Sequence, residues 1–202
     1  MQESDSAGMV RRRQVYIVHG YTAAPTDHWF PWLKERLAAD GIGVDILPMP
    51  DPDNPVPQDW DAFLDERIVR RDADTYLVAH SLGCIGVVRH ALQARDARYG
   101  GMLLVAGFMA PVPGLPALDG FSADLGPIGE LRTRVRRRTV IASRDDASVP
   151  YAMTQELAAR LDADFVTVER GGHFLGREGF TAFPLVYERL AAMMGLAVGE
   201  VR

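Results

Sequence analysis

Apolar residues in this chain fall into short runs that alternate with stripes of helical spacing. The runs Val15-Tyr-Ile-Val18, Val44-Asp-Ile-Leu47, Thr75-Tyr-Leu-Val-Ala79, Gly101-Met-Leu-Leu-Val-Ala106, Thr139-Val-Ile-Ala142 and Asp164-Phe-Val-Thr-Val168 have strand length. Several are apolar throughout, as expected of strands covered on both faces. Between them, Trp29, Leu33 and Leu37 share a helical face until Gly41 and Gly43 stop it. Trp60, Leu64 and Ile68 form the next stripe. Met153, Leu157 and Leu161 follow Pro150, which can sit at a helix start. Val186, Leu190 and Met194 line the last helix. Spacing of i, i+4, i+8 puts each set on one side, where it serves as core contact. The repeated strand–helix order predicts a three-layer α/β/α sandwich on about six parallel strands, with right-handed crossovers. No internal repeat or linker interrupts it. We expect one domain over residues 13–202, preceded by a disordered leader over 1–12.

The long segment Gly107 to Phe121 breaks the alternation. It is rich in Gly and Pro and carries apolar residues that a solvated connection would not need. A loop of that length either packs on itself or serves the site, and the sequence leaves both open.

Size and charge narrow the class. The 202 residues suit one domain with a sizeable core. A formal net charge of -5 leaves no electrostatic footprint for nucleic acid or an anionic membrane. The basic clusters Arg11-Arg12-Arg13 and Arg134 to Arg138 each precede a strand and read as solvated strand ends. The single cysteine excludes an internal disulfide and is compatible with a reducing compartment. No apolar run is long enough to span a bilayer, and the N-terminal residues lack a signal-peptide pattern. The expectation is a cytoplasmic protein.

The most informative stretch is Tyr76-Leu-Val-Ala-His-Ser81-Leu-Gly83. A strand run ends in a serine between small residues, and a helical pattern follows. A sharp strand–turn–helix elbow presents a nucleophile this way, and its crowding demands small residues two positions before and after. Ala79 and Gly83 hold those positions. A serine opening a helix can equally be an N-cap, so this stretch alone leaves two readings.

The ends of the other strands discriminate between them. In an open parallel sheet, ligands bind beyond the carboxyl ends of the strands. His19-Gly-Tyr-Thr22 follows the first strand, Ser81 the third, Asp145-Asp146 the fifth and Gly171-Gly-His173 the sixth. A nucleophile, an acid and an imidazole thus meet at one sheet edge in the order Ser, Asp, His, which is the order of hydrolases with this sheet type. Ser81 is the candidate nucleophile and His173 the base that activates it. Asp145 or Asp146 would hold the imidazole. Asp146 is favoured because its Asp-x-x-Val-Pro spacing to Pro150 resembles that of many hydrolases of this fold, and Asp145 would then cap or pair with Arg144. The N–H of Leu82 and that of Tyr21, or of neighbouring Thr22, are the candidate oxyanion donors. His80 should alternate away from the nucleophile, His19 should brace the oxyanion loop, and His28 and His90 read as structural. Cys84 reads as a small buried hydrophobe. No metal-ligand spacing and no phosphate loop occur, so neither metal nor cofactor is expected.

The stretches His19-Gly-Tyr-Thr-Ala-Ala-Pro-Thr-Asp-His-Trp-Phe-Pro-Trp-Leu33, Ala79-His-Ser-Leu-Gly-Cys84, Ser143-Arg-Asp-Asp-Ala-Ser-Val-Pro150 and Gly171-Gly-His-Phe-Leu175 resemble the small serine hydrolases related to retinoblastoma-binding protein nine, in their bacterial YdeN-like branch. The similarity runs from about Val15 to the last helix. It implies a compact α/β-hydrolase fold with six parallel strands, no large lid domain, and a Ser81–Asp146–His173 triad. In larger hydrolases of this fold, a lid is inserted where Gly107 to Phe121 lies. Phe108, Met109, Leu115, Leu118 and Phe121 are therefore expected to shape an apolar pocket. The functional expectation is cleavage of a small acyl ester, or a thioester or amide, through an acyl-enzyme. The rival is a binding module that keeps the fold without turnover.

Overall fold

The computed structural model describes residues 12–122 and 125–196. The expected leader therefore lies almost wholly outside the described residues. Six strands form one sheet: β1 (Gln14–Val18), β2 (Gly43–Leu47), β3 (Thr75–His80), β4 (Gly101–Val105), β5 (Arg138–Ser143) and β6 (Asp164–Val168). The sheet order is β2-β1-β3-β4-β5-β6, and every pairing is parallel. The helices are α1 (Phe30–Ala39), α2 (Pro57–Arg67), α3 (Leu82–Gln93), α4 (Leu131–Arg134), α5 (Tyr151–Leu161) and α6 (Pro184–Met194). All six expected strands are present within a residue at each end. The one-turn α4 has no amphipathic stripe to announce it.

Strand alternation divides the core in two. Tyr16, Val18, Leu77, Ala79, Met102, Leu104 and Val140 pack with residues of α2, α3 and α5 on one face. Val15, Ile17, Tyr76, Val78, Leu103, Val105 and Ile141 pack with α1 and α6 on the other. The central strands β3 and β4 are buried at every residue, which is why their sequence shows no polar alternation. The edge strand β6 is only half-buried.

The solvated-end expectation holds for the exposed Arg12, Arg136 and Arg137 and fails for three other arginines of the basic clusters, while Arg11 lies outside the described residues. Arg13 donates to Met194 O at the end of α6 (2.8 Å), Arg134 to Leu92 O near the end of α3 (3.0 Å), and Arg138 to Leu161 O at the end of α5 (2.7 Å). With parallel strands joined by crossover helices, helix C-termini and strand N-termini share an edge. Arginines placed just before the strands therefore meet the unpaired carbonyls and the negative dipole ends of the helices.

The segment after β4 is neither a lid nor a solvated loop. Phe108, Met109, Val112, Leu118 and Phe121 are buried in the core that includes α2 and α3. Phe121 meets the Trp60 ring edge-on at 5.5 Å. Among the described residues, no helix is long and apolar enough to cross a membrane.

Candidate active site

Ser81 sits between the end of β3 and the start of α3 with φ 53 and ψ -122. A positive φ is costly for a non-glycine residue, on the order of 1–3 kcal/mol, and persists only where the surroundings enforce it. Here Ser81 N–H donates to Val105 O of the neighbouring strand (2.9 Å), and Cys84 N–H donates to Ser81 O (2.9 Å). Gly83 is dictated by contact: a Cβ there would lie 2.4 Å from Val18 O and 2.6 Å from His19 O, both backbone atoms. Ala79, at the other flank, is accommodated in the core with its methyl fully buried.

The Ser81 hydroxyl makes no capping bond to α3. It lies 3.0 Å from His173 Nε2. His173 Nδ1 lies 2.8 Å from Asp146 Oδ2, and the Asp146 side chain is almost fully buried. An ionised carboxylate at Nδ1 requires the ring proton there, leaving the Nε2 lone pair for the Ser81 hydroxyl. The other Asp146 oxygen, Oδ1, accepts the N–H groups of Ser148 (2.8 Å) and Val149 (2.9 Å). The N-cap reading of the Ser81 side chain is thus overturned by its orientation. The choice between adjacent acids is decided by which carboxylate reaches the ring.

Asp145 does something else. Its Oδ1 accepts Ser143 Oγ–H (2.6 Å) and the N–H groups of Gly171 and Gly172 (2.9 Å each). These three donors, Ser143 first, hold its carboxyl down at about 2. Arg144, its expected partner, instead pairs with Glu169 at 3.2 Å. From the other side, Glu178 Oε2 accepts the N–H groups of His173 and Leu175 (2.9 Å each). Gly172 has φ +51, and a Cβ there would meet the Glu178 carboxylate at 2.6 Å. The loop bearing His173 is thus tied to β5 by Asp145 and to the following turn by Glu178. Nothing in the sequence pattern singled out Glu178.

The oxyanion candidates come from the loop after β1 and the start of α3. Leu82 opens α3, where an N–H has no intrahelical acceptor. Tyr21 lines the cleft beside Ser81. Its loop is held by Thr22 N–H donating to Pro52 O (2.9 Å) and by His19, whose Nε2 accepts Met49 N–H (3.1 Å). His19 Nδ1 lies 3.0 Å from Gly20 O. With Nε2 accepting, that contact requires the proton on Nδ1, so the ring is neutral, and its burial lowers its pKa. His19 braces this loop as expected.

A cleft of about 580 Å³ opens over Ser81 and His173. Leu115 and Leu118 line it from the loop after β4. Phe108, Met109 and Phe121 do not: they belong to the core. The large apolar side chains of this segment anchor it against α2 and α3, and two leucines are left for the cleft. The segment Thr22 to His28 and the segment Leu175 to Thr181 supply most of the remaining lining, in which polar and apolar groups are mixed. His80 packs 4.8 Å from the His173 ring and donates from Nε2 to His173 O (2.8 Å). Complete burial drives its pKa well down. His80 is thus packed and hydrogen-bonded as expected, but it also borders the cleft. His28, expected to be structural, lies in the cleft lining. His90 is buried with Nε2 2.8 Å from the Tyr99 hydroxyl, and burial lowers its pKa to about 4. Cys84 is buried, and burial raises its thiol pKa. Among the described residues, no group of three His, Cys, Asp or Glu is arranged to hold a metal ion.

Residues 15–192 match the family model described as serine hydrolase. The Bacillus subtilis protein YdeN is 46% identical over 182 residues, covering 89% of this chain and 95% of that one. The serine hydrolase RBBP9 of Rattus norvegicus is 24% identical over 155 residues, covering 76% and 81%. The crystal structure of the Bacillus subtilis ydeN product superposes with a TM-score of 0.86 at 43% identity, covering 91% of this chain and 99% of that one. Est1E from Butyrivibrio proteoclasticus shares the fold at a TM-score of 0.69 and 14% identity, covering 91% and 89%. A parallel six-stranded α/β-hydrolase sheet, a serine held on its elbow and this span of similarity lead to one assignment: the chain belongs to the serine hydrolase family.

Proposed function

We propose that the protein hydrolyses small acyl esters through an acyl-enzyme on Ser81. The observation that carries this reading is the unbroken chain Asp146–His173–Ser81, with contacts of 2.8 and 3.0 Å, at the floor of a cleft.

In this reading Ser81 Oγ attacks the acyl carbonyl while His173 Nε2 takes the hydroxyl proton. Asp146 keeps the ring in the required tautomer and stabilises the imidazolium. The tetrahedral oxyanion takes hydrogen bonds from the Leu82 and Tyr21 N–H groups, each donor worth about 3 kcal/mol of barrier. The carbon–oxygen bond to the leaving alcohol breaks, and His173 returns its proton to that oxygen. Water then repeats the sequence against the acyl-enzyme, releasing the acid and regenerating the Ser81 hydroxyl. The same groups can open a thioester or an amide, and the shape of the cleft decides among them. Leu115 and Leu118 offer the acyl chain a small apolar surface.

The test is labelling with a fluorophosphonate probe, followed by kinetics on p-nitrophenyl esters of increasing acyl length. Wild type should label and Ser81→Ala should not. Equal labelling of both would reject Ser81 as nucleophile. Folded wild type that neither labels nor turns over any ester would instead favour a binding module.

A further inference from the structure

His28 has φ 54, in the left-handed region that a histidine rarely occupies, and it lines the cleft. Its Nδ1 accepts the Gly176 N–H at 3.0 Å. An accepting Nδ1 puts the ring proton on Nε2. The ring is held edge-on to Phe30 (5.4 Å) and His80 (5.6 Å), so its orientation is set by packing. Burial is the main cause lowering its pKa, which keeps the imidazole neutral at neutral pH. Among the described residues, no group accepts a hydrogen bond from His28 Nε2. The neighbouring Asp27 accepts the Ala24 N–H with Oδ2 at 2.8 Å, and its Oδ1 has no protein donor among the described residues.

His28 and Asp27 both line the cleft, and each keeps one polar atom, a donor Nε2–H and an acceptor Oδ1, without a protein partner among the described residues. A hydroxyl, which both donates and accepts, complements that pair. The cleft lining carries one acid, Asp27, and one permanent cation, Arg177, so it does not select a carboxylate or an ammonium by net charge. The position relative to His173 says which half of the substrate would lie here. The imidazole must protonate the leaving oxygen, so the leaving group lies on its side of the cleft. Gly176, bonded to His28, is three residues beyond His173. Leu115 and Leu118 come from the other helical layer.

We infer that His28 and Asp27 form a subsite for the leaving alcohol, selecting esters whose alcohol carries a further hydroxyl that accepts from His28 Nε2–H and donates to Asp27. This inference rests on the acyl-enzyme reading above.

The test compares kcat/KM for glycerol 1-monobutyrate and propyl butyrate, which share an acyl group and differ by the hydroxyls. Wild type should favour the glycerol ester by about fivefold or more, the worth of one neutral hydrogen bond. His28→Asn keeps an acceptor near Gly176 N–H and tolerates positive φ, but it has no donor at the Nε2 position. It should lower the ratio about fivefold, mainly through the KM of the glycerol ester. His28→Gln, whose amide reaches the Nε2 position, should restore part of it. An unchanged ratio in His28→Asn would overturn the subsite, because a structural role is retained in that variant. If His28→Asn does not fold, the wild-type acyl-enzyme decides: glycerol should intercept it several-fold better than 1-propanol at equal concentration, and equal interception overturns the subsite. Wild type that labels with fluorophosphonate but shows no preference, or turns over neither ester, overturns the subsite alone. Wild type with neither labelling nor turnover overturns the nucleophile reading and the subsite with it.

Discussion

Adjacent carboxylates at 145 and 146 share a turn and differ in every partner. Asp146 reaches His173 Nδ1 with one oxygen and two backbone N–H groups with the other. Asp146→Asn should leave the fold intact but favour the wrong imidazole tautomer, lowering kcat about 10⁴-fold in an ester assay. Asp145 instead fastens Gly171 and Gly172 to the end of β5. Its carboxyl is depressed from 3.8 to about 2, so its contribution to stability is complete above the unfolded-state value and disappears as pH falls towards the folded one. Asp145→Asn should therefore flatten the fall in melting temperature between about pH 4 and pH 2, measured by thermal denaturation across that window. A curve identical to wild type would separate Asp145 from acid stability. At Gly83, an added methyl meets two backbone carbonyls that cannot swing aside. Gly83→Ala should cost about 1–3 kcal/mol in urea denaturation, with activity lost through displacement of the elbow. The sequence marked Ser81, Gly83 and His173 because each has a stereotyped setting. It could not choose between Asp145 and Asp146 by chemistry alone, since they are the same residue type one peptide apart.

The strands were legible to within a residue, and the helices by their buried faces. Strands buried on both faces read as apolar runs, and helices with one buried side read as stripes. Side chains that act across elements were not legible. Arg134, almost buried, donates to Ala91 O and Leu92 O near the end of α3, and it pairs with Glu130. A linear reading sees a basic run, because the carbonyls that receive it lie some forty residues away. Arg134→Ala should lower stability by about 1 kcal/mol, measured by urea titration, with Arg134→Lys recovering part of it. The segment after β4 shows the same limit. Its Gly and Pro content marked it as unusual, but Phe121 against Trp60 and Leu118 at the cleft are tertiary choices. Of five apolar residues expected at the site, two line it.

At the scale of the whole molecule, one sheet joins two apolar layers. Leu64 of α2 belongs to one layer and Leu190 of α6 to the other. Each truncated to alanine should cost about 2–5 kcal/mol, because both are fully buried. On opposite faces of the sheet their effects should add within about 0.5 kcal/mol, and the double variant should still unfold in one transition. Two separated transitions in calorimetry would show that the layers do not fold as a unit. The active-site edge depends on this coupling. His80 ends β3 at the centre and Ser81 follows it, Asp146 lies in the turn after β5, and His173 in the turn after the edge strand β6, so no single element carries the site.

Pattern and order were determined by the sequence itself: six parallel strands, the helices between them, and a serine, an acid and a histidine following the strands that bring them to one edge. Those properties are local or topological. Hydrophobic period sets the element, and the crossover rule sets the edge. Only the tertiary structure decided orientation: that Asp146, the acid its spacing favoured, meets the imidazole, that the Ser81 hydroxyl turns from its own helix to His173, that arginines before the strands close the helix ends, and that His28 lines the cleft. Each of these depends on distances between side chains remote in the chain, which spacing along the chain does not encode.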